Sequence, residues 1–111
     1  MQELSKKKIN FPKAVLNILF NFDCWLVGSA AKNMDMLSRD YDILCPFHNW
    51  NKLCLIIPSD AKPNSFGGWK FSIDGVEIDL WPGDMSHFMT LPKFEYAYNL
   101  RHEVKIGRIK E

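Results

Sequence analysis

The sequence predicts an α/β (α+β) fold: a single small domain, residues 1–111, whose mixed β-sheet carries a hairpin in its C-terminal half and is packed by helices. Three observations lead there. An apolar run, Cys24-Trp25-Leu26-Val27, ends in Gly28-Ser29 and a short helical pattern; a second run, Tyr41-Asp42-Ile43-Leu44-Cys45, follows; and two alternating segments flank Asp74-Gly75. Short apolar runs bounded by glycine read as buried strands, and alternation on either side of Asp-Gly reads as a hairpin. With 111 residues, 47% of them hydrophobic, the chain can bury one core and has no room for a second domain.

The elements follow in order. Phe11–Phe22 has Pro12 near its first turn and apolar residues at Ala14, Val15, Leu16, Ile18, Leu19 and Phe22, the pattern of an opening helix packed on the sheet. Cys24–Val27 is the first buried strand, and 30–37 the short helix after it. Asp40 and Asp42 precede or enter the second strand. His48–Ile57, stopped by Pro58, fits another helix, and Ser59–Gly68, rich in Pro, Ser, Asn, Lys and Gly, fits a loop able to lie over a site on the sheet. Trp69–Ile73 and Val76–Trp81 form the hairpin. Glu95–Lys105 has a mixed pattern, and its later part fits a helix or a strand equally well.

The acids and the glycine-serine turn carry the chemistry. Ser29 falls near a helix N-terminus, where unpaired N–H groups and the positive end of the dipole favour an anionic phosphate. Gly28 lets the backbone come close, and the Ser29 hydroxyl adds a donor. Residues two apart on a strand point to one face, so the carboxylates of Asp40 and Asp42 converge. Two such charges repel unless a cation lies between them, and Mg²⁺ prefers oxygen ligands and keeps carboxylates together with substrate phosphates. In the hairpin, Glu77 and Asp79 share a face opposite Val76, Ile78 and Leu80. Asp79 is the preferred third ligand because its neighbours Ile78, Leu80 and Trp81 make an unpaired charge costly there, and Glu77 is the alternative.

The run from Gly28-Ser29-Ala30-Ala31-Lys32 through Arg39-Asp40-Tyr41-Asp42-Ile43-Leu44, with a later acid at Asp79, resembles the DNA polymerase β-type nucleotidyltransferase superfamily, in particular its minimal single-domain members. The resemblance implies a nucleotidyltransferase fold and a metal-dependent enzyme that moves a nucleoside monophosphate from an NTP, ATP first among them, to an acceptor hydroxyl on a protein, an RNA end or a small molecule. It implies Gly28, Ser29 and Lys32 for phosphate. Asp40 and Asp42 would bind two Mg²⁺ (or Mn²⁺) ions, and Asp79 the catalytic one. Many minimal members have Arg-Gly where this chain has Lys32-Asn33, and Ser where it has Arg39. A domain this small also implies that a homodimer mate, a partner chain or the acceptor itself completes the site. Two alternatives from other classes are a nucleotide-binding module without turnover and an antitoxin-like protein-interaction domain.

Charge and composition narrow the setting. The formal net charge is +1 with basic residues spread along the chain, which argues against a strong electrostatic footprint for nucleic acid. Cys24, Cys45 and Cys54 sit in apolar runs without metal-ligand spacing and read as buried thiols of a reducing compartment. No leader pattern and no run of membrane-spanning length is visible, so the expected location is cytoplasmic, away from the membrane. Trp25, Trp50, Trp69 and Trp81 read as core or rim. His48, His87 and His102 are solitary, and metal-assisted phosphate chemistry does not require them.

Overall fold

The computed structural model describes residues 2–3, 11–28, 40–84, 86, 90, 92, 94–99 and 104–109. In chain order these form β1 (Gln2–Glu3), α1 (Lys13–Asn21), β2 (Trp25–Val27), β3 (Asp40–Cys45), α2 (Phe47–Cys54), β4 (Lys62–Pro63), β5 (Trp69–Ile73), β6 (Val76–Pro82), β7 (Phe94–Asn99) and β8 (Val104–Ile109). The strands make one open mixed sheet in the order β1-β7-β8-β2-β3-β6-β5-β4. The expected α+β class with a mixed sheet and a C-terminal-side hairpin is therefore present. The short helix expected at 30–37 lies outside the described residues.

The hairpin follows from its turn. Asp74 and Gly75 both have positive φ, 52° and 82°, which is the backbone of a two-residue hairpin turn matching the strand twist. It sets Ile73 opposite Val76, Phe71 opposite Ile78 and Trp69 opposite Leu80. Alternation then sends Phe71, Ile78 and Leu80 to one face of the sheet, where they join Leu26, Tyr41, Ile43, Cys45 and Ile106. Val15, Ile18 and Leu19 of α1 and Leu53 of α2 complete this core. Each fully buried Leu or Ile contributes about 1.5–3 kcal/mol relative to exposure.

Two sequence expectations change, and one left open is resolved among the described residues. The second helix ends at Cys54 rather than Ile57: Leu55, Ile56 and Ile57 continue it only as tight turns, their N–H groups donating to the carbonyls three residues back at 3.2, 3.1 and 3.4 Å. Pro58 disfavours α conformation in the residue before it, and the apolar Leu55 and Ile56 face solvent at 85% and 55% exposure. The loop 59–68 contains a short strand, β4, paired antiparallel with β5. Of the segment 95–105, left open between helix and strand by its pattern, the described parts are strands: Phe94–Asn99 and Val104–Ile109 pair antiparallel, and β8 inserts beside β2 in parallel. The cysteines are free as expected, with Cys24 and Cys45 buried and Cys54 half-buried.

Helix α2 is tied back to the turn after α1 by Asn49 Nδ2, which donates to the Phe22 carbonyl at 2.8 Å. Both helices thus cover one face of the sheet. The other face carries the polar members of β3, β5 and β6.

Candidate active site

Strands β3 and β6 run parallel and in register, with Asp40 opposite Glu77 and Asp42 opposite Asp79. On the far side of β6, Lys70 stands opposite Asp79 and Ser72 opposite Glu77. Alternation puts all of these on the face away from the helices, because their neighbours Tyr41, Ile43, Ile78 and Leu80 fill the core. The result is an open acidic depression of about 230 Å³ lined by Asp40, Asp42, Lys70, Glu77 and Asp79. Four carboxylates and one ammonium group share it.

Depth differs among the acids. Asp40 and Glu77 are exposed, whereas Asp42 and Asp79 are half-buried. Burial pushes the Asp42 carboxyl above its ordinary range, the charges of Asp79 and Asp40 push it further, and Lys70 pulls it partly back. Ionised Asp42 is therefore held in an unfavourable field.

Gly28 follows β2 and lies against Asp42. Its φ of +76° suits glycine, and a Cβ built there would overlap Asp42 Oδ2. The turn expected to hold phosphate thus begins in contact with a carboxylate of the site. Ser29 and Lys32, the other residues expected to contact phosphate, lie outside the described residues.

Asn64 is a participant that the sequence reading passed over. Its side-chain Nδ2 donates to Asp79 Oδ1 and to the Leu80 carbonyl at 3.2 Å. Its Oδ1 accepts from the Phe66 and Gly68 N–H groups at 3.0 and 2.8 Å. One amide therefore fixes both a loop and a site carboxylate. The readable signal was an Asn followed by Gly67-Gly68 in a turn-rich stretch, since Asn side chains commonly bond nearby backbone N–H groups.

The donor set suits a hard divalent cation in kind, being all carboxylate oxygen with mutual repulsion to relieve. Among the described residues, however, no three His, Cys, Asp or Glu side chains form a group tight enough to hold a metal ion by themselves. That geometry fits Mg²⁺ only in its usual manner, through one or two carboxylates with the remaining oxygens supplied by substrate phosphate and water. No described helix is long and apolar enough to cross a membrane. Compared with known proteins, the chain matches no family model, no curated protein and no solved structure.

Proposed function

We propose that the chain is a Mg²⁺- or Mn²⁺-dependent nucleotidyltransferase with a polymerase β-type fold. It transfers a nucleoside monophosphate from an NTP to an acceptor hydroxyl, on a protein, an RNA end or a small molecule, and releases pyrophosphate. The observation that carries this reading is the parallel register that sets Asp42 opposite Asp79 on an open sheet face, with Gly28 against Asp42. Electrostatics supports it, because a cation relieves the field that raises the Asp42 carboxyl.

Asp40, Asp42 and Asp79 would hold the metal, with Glu77 the alternative third ligand. When bound, the divalent ions acidify the acceptor hydroxyl and neutralise the phosphates. The acceptor oxygen forms a bond to the α-phosphorus while the bond from that phosphorus to the β-bridging oxygen breaks, and the acceptor proton passes to Asp79 or to water. Gly28 lets the turn that leads to Ser29 start directly against Asp42, Ser29 and Lys32 hold the triphosphate, and Lys70 offers positive charge at the rim. The half-buried pair, Asp42 and Asp79, gains most from a bound cation, while the exposed pair, Asp40 and Glu77, stays open to a large acceptor. Free thiols at all three cysteines suit a cytoplasmic protein.

Pyrophosphate release with each NTP, Mg²⁺ and a cell extract tests the reading without assuming an acceptor. Metal-dependent release that disappears in Asp42→Asn supports it. Nucleotide-induced stabilisation without release means a binding module, and the absence of both means an interaction domain.

A further inference from the structure

We infer that the aromatic pair Phe66 and Trp81, beside the acidic depression, is the stacking site for the base of a purine nucleoside triphosphate; the inference rests on the nucleotidyl-transfer reading. Trp81 follows Asp79 by two residues on β6 and shares its face, so the two lie about 6.5 Å apart along the strand. The ribose separating a base from its α-phosphate bridges a gap of that order. Trp81 is half-buried against Val27 and Leu44, which anchors its ring on the sheet. Phe66 leans on it with ring centroids 5.1 Å apart and planes inclined by 35°, and yet is itself 61% exposed.

The ring of Phe66 is placed by Trp81, and the backbone that carries it is held by Asn64. Its Oδ1 accepts the Phe66 and Gly68 N–H groups while its Nδ2 donates to Asp79, so the same side chain orders the aromatic loop and a carboxylate of the depression. Gly68 permits the close fit, because a Cβ there would overlap the Leu80 carbonyl oxygen. The aromatic shelf and the acidic floor are consequently braced to each other before any ligand arrives. Among the described residues the depression itself is lined only by Asp40, Asp42, Lys70, Glu77 and Asp79, and the aromatic pair stands next to it, through Trp81 on the strand of Asp79 and through the Asn64 bond to Asp79.

A base laid on Phe66 would have a π-face below it and its phosphates directed over Asp79 and Asp42 toward Gly28. The exposed member of the shelf, Phe66, offers a ring face and no side-chain hydrogen bond, so purines, with the larger ring system, gain most. ATP and GTP are accordingly favoured together over CTP and UTP.

The test compares Mg²⁺-ATP with Mg²⁺-tripolyphosphate, which has the phosphates and no base, by titration calorimetry on the full chain. Phe66→Ala should weaken ATP about tenfold or more and leave tripolyphosphate within about twofold, while Phe66→Tyr keeps wild-type affinity for both. Phe66→Leu, which preserves the apolar contact with Trp81, should lose ATP affinity as Phe66→Ala does and guards against a folding defect in the smaller variant. Unchanged ATP affinity in both variants, or equal weakening of ATP and tripolyphosphate, overturns the stacking site alone. If neither ligand binds the wild-type chain, the nucleotide reading itself falls and takes the stacking site with it.

Discussion

Replacing Asp42 by Asn should stabilise the metal-free protein, although the substitution removes a charge from the centre of the proposed site. Asp42 faces Asp79 across one strand interval and has Asp40 two residues before it on the same face. Neighbouring strands are about 4.8 Å apart, so carboxylates reaching up from facing positions stand about 6 Å apart. At that distance two unit charges repel by roughly 0.7–2.8 kcal/mol for effective dielectric constants of 80 to 20. Lys70 offsets part of this. A net gain of about 0.5–2 kcal/mol corresponds to roughly 2–8 °C in melting temperature for a domain of this size. The assay is thermal unfolding by circular dichroism at pH 7 in EDTA and low salt. Adding Mg²⁺ and NTP reverses the order: the wild type gains stability through preferential binding to the folded state, and Asp42→Asn loses most of that increment. A melting temperature that falls in Asp42→Asn without metal would show that favourable partners hold the carboxylate, and the electrostatic argument for a cation would be refuted.

The pH dependence follows from the same field: because the folded-state Asp42 pKa lies above the unfolded value near 3.8, the native state binds the extra proton. Stability contributed by this group is present at low pH and is lost as pH rises through the raised pKa. The stability advantage of Asp42→Asn in EDTA should be near zero at pH 4 and grow toward pH 7; a constant difference across that range contradicts the assignment. Gly28→Ala should cost at least about 1–2 kcal/mol, because φ is positive and the new methyl displaces Asp42, and urea unfolding with a metal titration would detect both effects. Asp79→Ala should keep substantial NTP binding and lose at least about a hundredfold in turnover, with Glu77→Ala much less affected; the opposite order makes Glu77 the ligand. Ser29→Ala should weaken NTP binding by about 1.5–3 kcal/mol without loss of the fold, as read by calorimetry and circular dichroism; equal affinities reject Ser29 as a phosphate donor.

Local pattern was legible wherever one residue type forces one backbone state. Asp74-Gly75 gave the turn, and with it the pairing of β5 with β6 and the common face of Glu77 and Asp79. Alternation also showed that Asp40 and Asp42 share a face. It could not show which acid of β6 each would meet, because the register between β3 and β6 depends on the packing of α2 and the hairpin around a shared core. The structure supplies that register and pairs Glu77 with Asp40, so both acids of β6 border the depression. The helix boundary at Cys54 was hidden for a different reason. Leu55-Ile56-Ile57 looks like a continued buried stripe, yet two of the three face solvent. Strand β8 was hidden too, since its place beside β2 is a long-range choice made by Ile106 entering the core. Asn64 was obscured by its loop, where polarity alone does not distinguish a solvated side chain from one that bonds a site carboxylate.

Label transfer tests the central claim most directly. The chain is incubated with Mg²⁺, a cell extract and ATP labelled either at the α- or at the γ-phosphate, beside the Asp79→Ala variant. The account predicts that α-label becomes covalently attached to an acceptor, that γ-label appears as pyrophosphate, and that both signals fall at least about a hundredfold in the variant. Transfer of the γ-label to an acceptor, or equal signals from the wild type and Asp79→Ala, would contradict it.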